Sequence, residues 1–231
     1  MGSSFTLADT PTLDDLQVFL ARAARIEEGT VRLIAGSGVL AVYAAVFYPQ
    51  GLLDESPTVL GLRTVALVDR GEGHDSFDVV VPIRSLLGRL EMAQEARKAD
   101  PSLSGPVTIS LPMGVNTVTW SAISPPRGGW RPINGTSAEV LDAAARAGID
   151  EVATAVPDAV GESIVRRVRS EVWSRGIPNL EHVPAGAAFA ALGLGFLGDD
   201  EVRMFETGPW TRLTTKRGHV LVKRKAWTLA R

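Results

Sequence analysis

The stretch Val31 to Tyr48, VRLIAGSGVLAVYAAVFY, decides the fold. Val31 to Ala35 and Val39 to Tyr48 are apolar-rich and carry Val, Ile, Tyr and Phe, residue types that fit a pleated, half-buried surface. Gly36-Ser37-Gly38 joins them through small residues that tolerate unusual backbone angles, so the pair reads as a tight hairpin. Further on, Pro49-Gln50-Gly51 and Asp54-Glu55-Ser56-Pro57 bracket a short loop. Thr58 to Asp69 then reads as a strand and Gly71-Glu72-Gly73 as a turn. Phe77 to Ile83 is a further strand, whose Pro82 marks an end or an edge.

Helices flank this β region. Thr12 precedes Leu13-Asp14-Asp15-Leu16, a hydroxyl cap with carboxylates in the expected first turn; Leu13, Leu16, Phe19, Leu20, Ala23 and Ala24 follow at helical spacing, and Gly29 stops the run. From Ser85 the period is again helical, with Leu86, Leu87, Leu90, Ala93 and Ala96 on one stripe ended by Asp100-Pro101. Val107 to Leu111 and Val115 to Ile123 read as two strands around Pro112-Met113-Gly114. The expectation is an α+β fold with a mostly antiparallel sheet and two helices in the first half. The order of elements over residues 5–124 resembles a domain of the DNA sliding clamps. It runs from a short strand at Phe5 to Leu7 through a helix and several strands, then Asp78-Val79-Val80-Val81-Pro82 into a helix and a return pair. The resemblance is one of layout and carries no function with it.

Ser124 to Gly135 is rich in Pro and Gly and reads as a linker. It divides the chain into residues 5–124 and 136–225, although one fused domain would also fit. The second half departs from the clamp layout. Ser137 to Ala147, Ile149 to Val156 and Asp158 to Arg175 read as helices separated at Gly148 and Pro157, and Pro184 to Leu197 as a buried, small-residue helix. Glu201 to Glu206, Trp210 to Thr215 and His219 to Lys223 form a small terminal β-sheet.

Composition narrows the function classes. The 231 residues are 45% hydrophobic and 22% charged, ordinary for a folded protein. A net charge of −2 gives no overall attraction to nucleic acid or to anionic membrane. With no cysteine, disulfides and thiolate metal sites are impossible, which fits the cytoplasm. Neither a secretory signal nor a membrane-length apolar run stands out. The three histidines, His74, His182 and His219, are scattered, so neither metal nor cofactor is expected. No GxSxG elbow, phosphate loop or other catalytic motif occurs.

Two features stand above this background. In the loop from Ser124 to Pro132, Trp130 lies between Arg127 and Arg131, and Trp and Arg dominate binding hot spots; the alternative is a tryptophan that pins the loop to the core. The second is basic charge, at Arg166, Arg167 and Arg169 in the helical group and at Lys216 and Arg217 in the last hairpin. That layout suits phosphate contact, or else it is a solvated helix face. The expected function is a non-catalytic binding or self-assembling module with a protein partner. A nucleic-acid-binding regulator is the first alternative, and an enzyme whose site converges only in space the second.

Overall fold

The computed structural model describes residues 3–51, 54–68, 76–100, 105–116, 118–156 and 161–224. It is an α+β protein with a mostly antiparallel sheet. The chain divides into two units, one of Met1–Ala44 and Leu62–Ala122, the other of Ala45–Gly61 and Ile123–Arg231.

In the first unit, β2 (Thr30–Gly36) pairs antiparallel with β3 (Val39–Phe47) as far as Ala44 and with β5 (Phe77–Pro82); β4 (Thr58–Ala66) is divided, with Thr58–Gly61 in the second unit and Leu62–Ala66 in the first. The β2–β3 turn closes with Ser37 and Gly38 both at positive φ, which confirms the hairpin. Alternation buries Val31, Leu33 and Ala35 on one face of β2. Two helices, α1 (Thr10–Ile26) and α2 (Ile83–Ala99), supply Leu13, Leu16, Leu20, Leu86 and Leu90 to this core. Ahead of α1, β1 (Ser4–Leu7) pairs with β6 (Val107–Ser110). The cap of α1 is Asp9 rather than Thr12: its carboxylate accepts from the Thr12 amide at 2.9 Å and from the Thr12 hydroxyl at 2.6 Å. These bonds hold its pKa below the usual carboxylate value. Asp14 and Asp15 therefore fall beyond the first turn, where Asp15 binds Arg63 at 2.6 and 2.8 Å.

The expected strand from Val115 to Ile123 is absent among the described residues. Val115 donates to the Val80 carbonyl at 2.8 Å, and Thr119–Ala122 form a single 3-10 turn that buries Trp120. The apparent alternation of Val118 and Trp120 reflects one buried residue per turn. Thr117 and the Gly71-Glu72-Gly73 turn lie outside the described residues.

The second unit holds α3 (Ala138–Ala155), α4 (Glu162–Ser174) and α5 (Ala185–Gly193). Gly148 does not break α3, which runs through it as one helix. A Cβ there would overlap the Trp173 ring of α4, so the glycine serves close packing. Trp173 is buried and stacks on Phe189 of α5, ring centroids 4.5 Å apart. A hairpin unseen in sequence, β8 (Gly176–Ile177) with β9 (Leu180–Pro184), turns through Asn179 at φ 66°. Residues of the supposed linker form β7 (Arg131–Thr136), which pairs with β10 (Val202–Thr207). β11 (Trp210–Thr215) and β12 (Gly218–Lys223) continue the order β7-β10-β11-β12-β4, and β7 is its edge.

Trp173→Ala removes a buried ring and should cost about 3–5 kcal/mol. Gly148→Ala, which crowds the same ring, should cost about 1–3 kcal/mol. Urea unfolding measures both; a loss below about 1 kcal/mol for Trp173→Ala would contradict the packing described.

Candidate functional site

Strand alternation sorts the side chains of β10, β11 and β12 onto two faces. Val202, Met204, Leu213, Val220 and Val222 are all buried on one. The other face carries the register row Pro132, Phe205, Arg212 and Leu221, with Arg203 one row away, opposite Thr214. Arg212 is the centre of this row. Its guanidinium carbon lies 4.6 Å from the centroid of the Phe205 ring and 4.6 Å from that of Trp130.

Trp130 is itself fixed from two sides. Its indole N–H donates to the Pro126 carbonyl at 3.0 Å, closing the loop, and Gly129 at φ 77° permits the turn. The Arg212 Nε is buried and has no acceptor among the described residues. Desolvation lowers the Arg212 pKa, and the like charge of Arg203 lowers it further. A cation over an aromatic ring gains about 0.5–2 kcal/mol, and a buried donor without a partner costs about 1–3 kcal/mol. With two rings on the one guanidinium, a gain of about 1–4 kcal/mol is partly offset by the unpaired Nε. The neighbouring acid, Glu206, is engaged elsewhere: it binds Arg131 at 3.1 Å. Arg127 and Arg203 are exposed and make no ion pair among the described residues.

The other basic residues are held by different elements. On α4, Arg166 binds Glu162 at 2.5 Å, one turn away, while Arg167 and Arg169 have no ion pair among the described residues. Val172 and Trp173 fix the buried side of this helix. Lys216 and Arg217 sit in the β11–β12 turn, where the Lys216 amide donates to Asp200 at 2.9 Å and Arg217 donates to the Leu197 carbonyl at 2.9 Å. Helix α4 packs on α3 and α5, whereas the turn is tied to Leu197–Asp200. His74, Lys225 and Arg231 lie outside the described residues.

An open cleft of about 340 Å³ lies at the start of α3, lined by Glu139, Asp199, Asp200 and Glu201 with Ser137. Ser137 holds the Glu139 pKa below its usual value. Among the described residues, no His, Asp and Glu group is arranged to hold a metal ion. His219 shares a 3.1 Å hydrogen bond with Thr214.

Of the residues expected from sequence, the structure therefore brings Trp130 and Arg131 to the β7–β10 edge, with Arg127 exposed in the loop that leads there. Sequence reading missed Phe205 and did not connect Arg212 with Trp130. The signal was available: alternation along Val202 to Thr207 and Trp210 to Thr215, joined by a short turn, sets Phe205 and Arg212 on one face.

Comparison with known proteins names no activity. Residues 1–110 match a family described as a domain of unknown function (DUF8010), and residues 125–227 match a second, also a domain of unknown function (DUF8185). No curated protein matches the sequence. Solved structures that are similar include the DNA polymerase III subunit beta from Pseudomonas aeruginosa, at 15% identity and TM-score 0.48, covering 98% of this chain and 66% of that one. The DNA polymerase sliding clamp from Caulobacter crescentus is similar at 10% identity and TM-score 0.49, covering 99% of this chain and 67% of that one. That from Bacillus subtilis is similar at 9% identity and TM-score 0.49, covering 100% and 67%. This chain thus spans about two-thirds of their length. No helix among the described residues is long and apolar enough to cross a membrane.

The contact between Trp130 and Arg212 can be isolated in a double-mutant cycle of Trp130→Ala and Arg212→Ala. Chemical unfolding should return a coupling of about 0.5–2 kcal/mol. Strict additivity would mean that the ring and the guanidinium are neighbours without attraction.

Proposed function

We propose that this chain is a non-catalytic binding module that engages a protein partner through the face bearing Trp130, Phe205 and Arg212, with Arg127 in the exposed loop beside it and Arg131 at the adjoining strand end, paired with Glu206. The observation that carries the reading is Arg212, a half-buried cation whose buried Nε has no partner, and whose charge no acid, among the described residues. Two aromatic rings and an arginine on strand and loop make a rigid anchor of the kind that dominates interfaces. The absence of cysteine favours the cytoplasm as the compartment.

Affinity capture with the full chain, compared with its Trp130→Ala and Arg131→Glu variants, tests the reading. A protein held by the parent and released by both folded variants supports it. An identical set of bound proteins would sink it. Sedimentation velocity across concentration identifies the case in which the partner is a second copy.

A second reading, phosphate contact by α4, is favoured by Arg167 and Arg169 alone, which have no ion pair among the described residues. Glu162 and Glu171 lie on the same exposed helix, and the net charge is −2. Duplex DNA should accordingly bind no tighter than the nonspecific range of about 10⁻⁴–10⁻⁶ M at physiological salt. Salt-sensitive binding near 10⁻⁸ M, lost in Arg166→Ala/Arg167→Ala, would put nucleic acid first.

A further inference from the structure

We infer that the ligand of the Arg212 face is an acidic protein segment, whose Asp or Glu carboxylate pairs with the Arg212 guanidinium while Arg203 supplies a second positive charge. The inference rests on the binding reading above and adds the chemistry of the partner.

A guanidinium has five N–H donors radiating in its plane and none perpendicular to it. The rings of Phe205 and Trp130 satisfy Arg212 through their faces, which leaves its in-plane donors without an acceptor among the described residues. Nε is closed to solvent, so an incoming planar carboxylate meets donors on the two terminal nitrogens at once. Charge leads to the same conclusion. Arg203 and Arg212 repel each other, and Glu206 is occupied by Arg131. An incoming anion relieves that repulsion and meets no competing acid on the way.

The surroundings favour protein over nucleic acid. Recognition of single strands uses free aromatic faces for base stacking. Here the guanidinium already covers one face of each ring, and Trp130 is tied down by its bond to Pro126. The half-buried rings of Phe205 and Trp130 offer apolar surface directly beside the Arg212 charge. The fit is to a segment that alternates acids with apolar residues.

Selection of a random 12-residue peptide display library on the purified full chain tests this directly. Enriched peptides should carry Asp or Glu beside apolar residues. Made synthetically, they should lose at least tenfold in affinity against Arg212→Gln and several-fold against Arg212→Lys, which keeps the charge but not the planar fork. Arg203→Gln, a change at an exposed position that leaves the fold alone, should weaken them and flatten the salt dependence. Enriched peptides without acids, or acidic ones that bind Arg212→Gln equally well, would overturn the inference and leave the binding-module reading standing. No enrichment would remove both. Displacement of the peptides by a duplex DNA of matched charge at equal concentration would instead assign the surface to phosphate.

Discussion

The indole of Trp173 fills the point where α3, α4 and α5 meet, and the packing of the second unit depends on the room made for it. Gly148 of α3 has no side chain to meet that ring, Gly186 of α5 lies against the Trp173 backbone and Cβ, and Phe189 stacks on the indole from the same helix. Such close approach lets one large side chain of α4 contact both other helices. Its indole N–H is left without a partner, a cost of about 1–3 kcal/mol that the buried ring area must exceed. Helix α5 in turn packs on β12, so the position of the last three strands follows from this junction.

That chain of support explains why the arginine face is worth reading as a site. Arg212 and Phe205 are register partners on paired strands whose opposite face is buried in the core, so neither can move far without disturbing Met204, Leu213 and Val220. Trp130 comes from a loop, but Gly129 and the Pro126 carbonyl fix its ring over the same guanidinium. Side chains ordered before a ligand arrives lose little entropy when it does. Elsewhere in this unit the arginines are used differently. Arg146 binds Asp142 and Arg175 binds Glu151, each an exposed pair of the kind that adds little stability.

Sequence alone carried the framework because hydrophobic period is a local property. The β2–β3 hairpin, the apolar stripes of α1 and α2, and the three terminal strands all express it over consecutive residues. What failed was long-range. Gly148 looks like a helix stop, and only Trp173, distant in sequence, shows why the helix continues through it. Val118 and Trp120 alternate like a strand, yet no neighbour offers them a ladder, and the chain turns instead. Thr12 and Asp9 are both good caps, and Pro11 between them settles the matter by fixing the start of α1 early. Trp130 was conspicuous between its arginines, but its contact was not, because Arg212 lies eighty-odd residues away on β11.

The net charge of −2 also conceals a segregation that only the fold reveals. Along β10 and the segment before it, Asp199, Asp200 and Glu201 join Glu139 around the cleft at the start of α3. Two residues beyond Glu201, Arg203 begins the opposite sign, and Arg212 joins it across the ladder. Farther along β10, alternation turns Glu206 to the face opposite Arg203 and Phe205, where it binds Arg131. At physiological ionic strength, charges farther apart than about 8 Å are largely screened where exposed. The partly desolvated Arg212 is screened less than its exposed neighbours. The whole-chain charge thus says little about what this face attracts, and the local sign, set by Arg203 and Arg212 with no acid between them, says most of it.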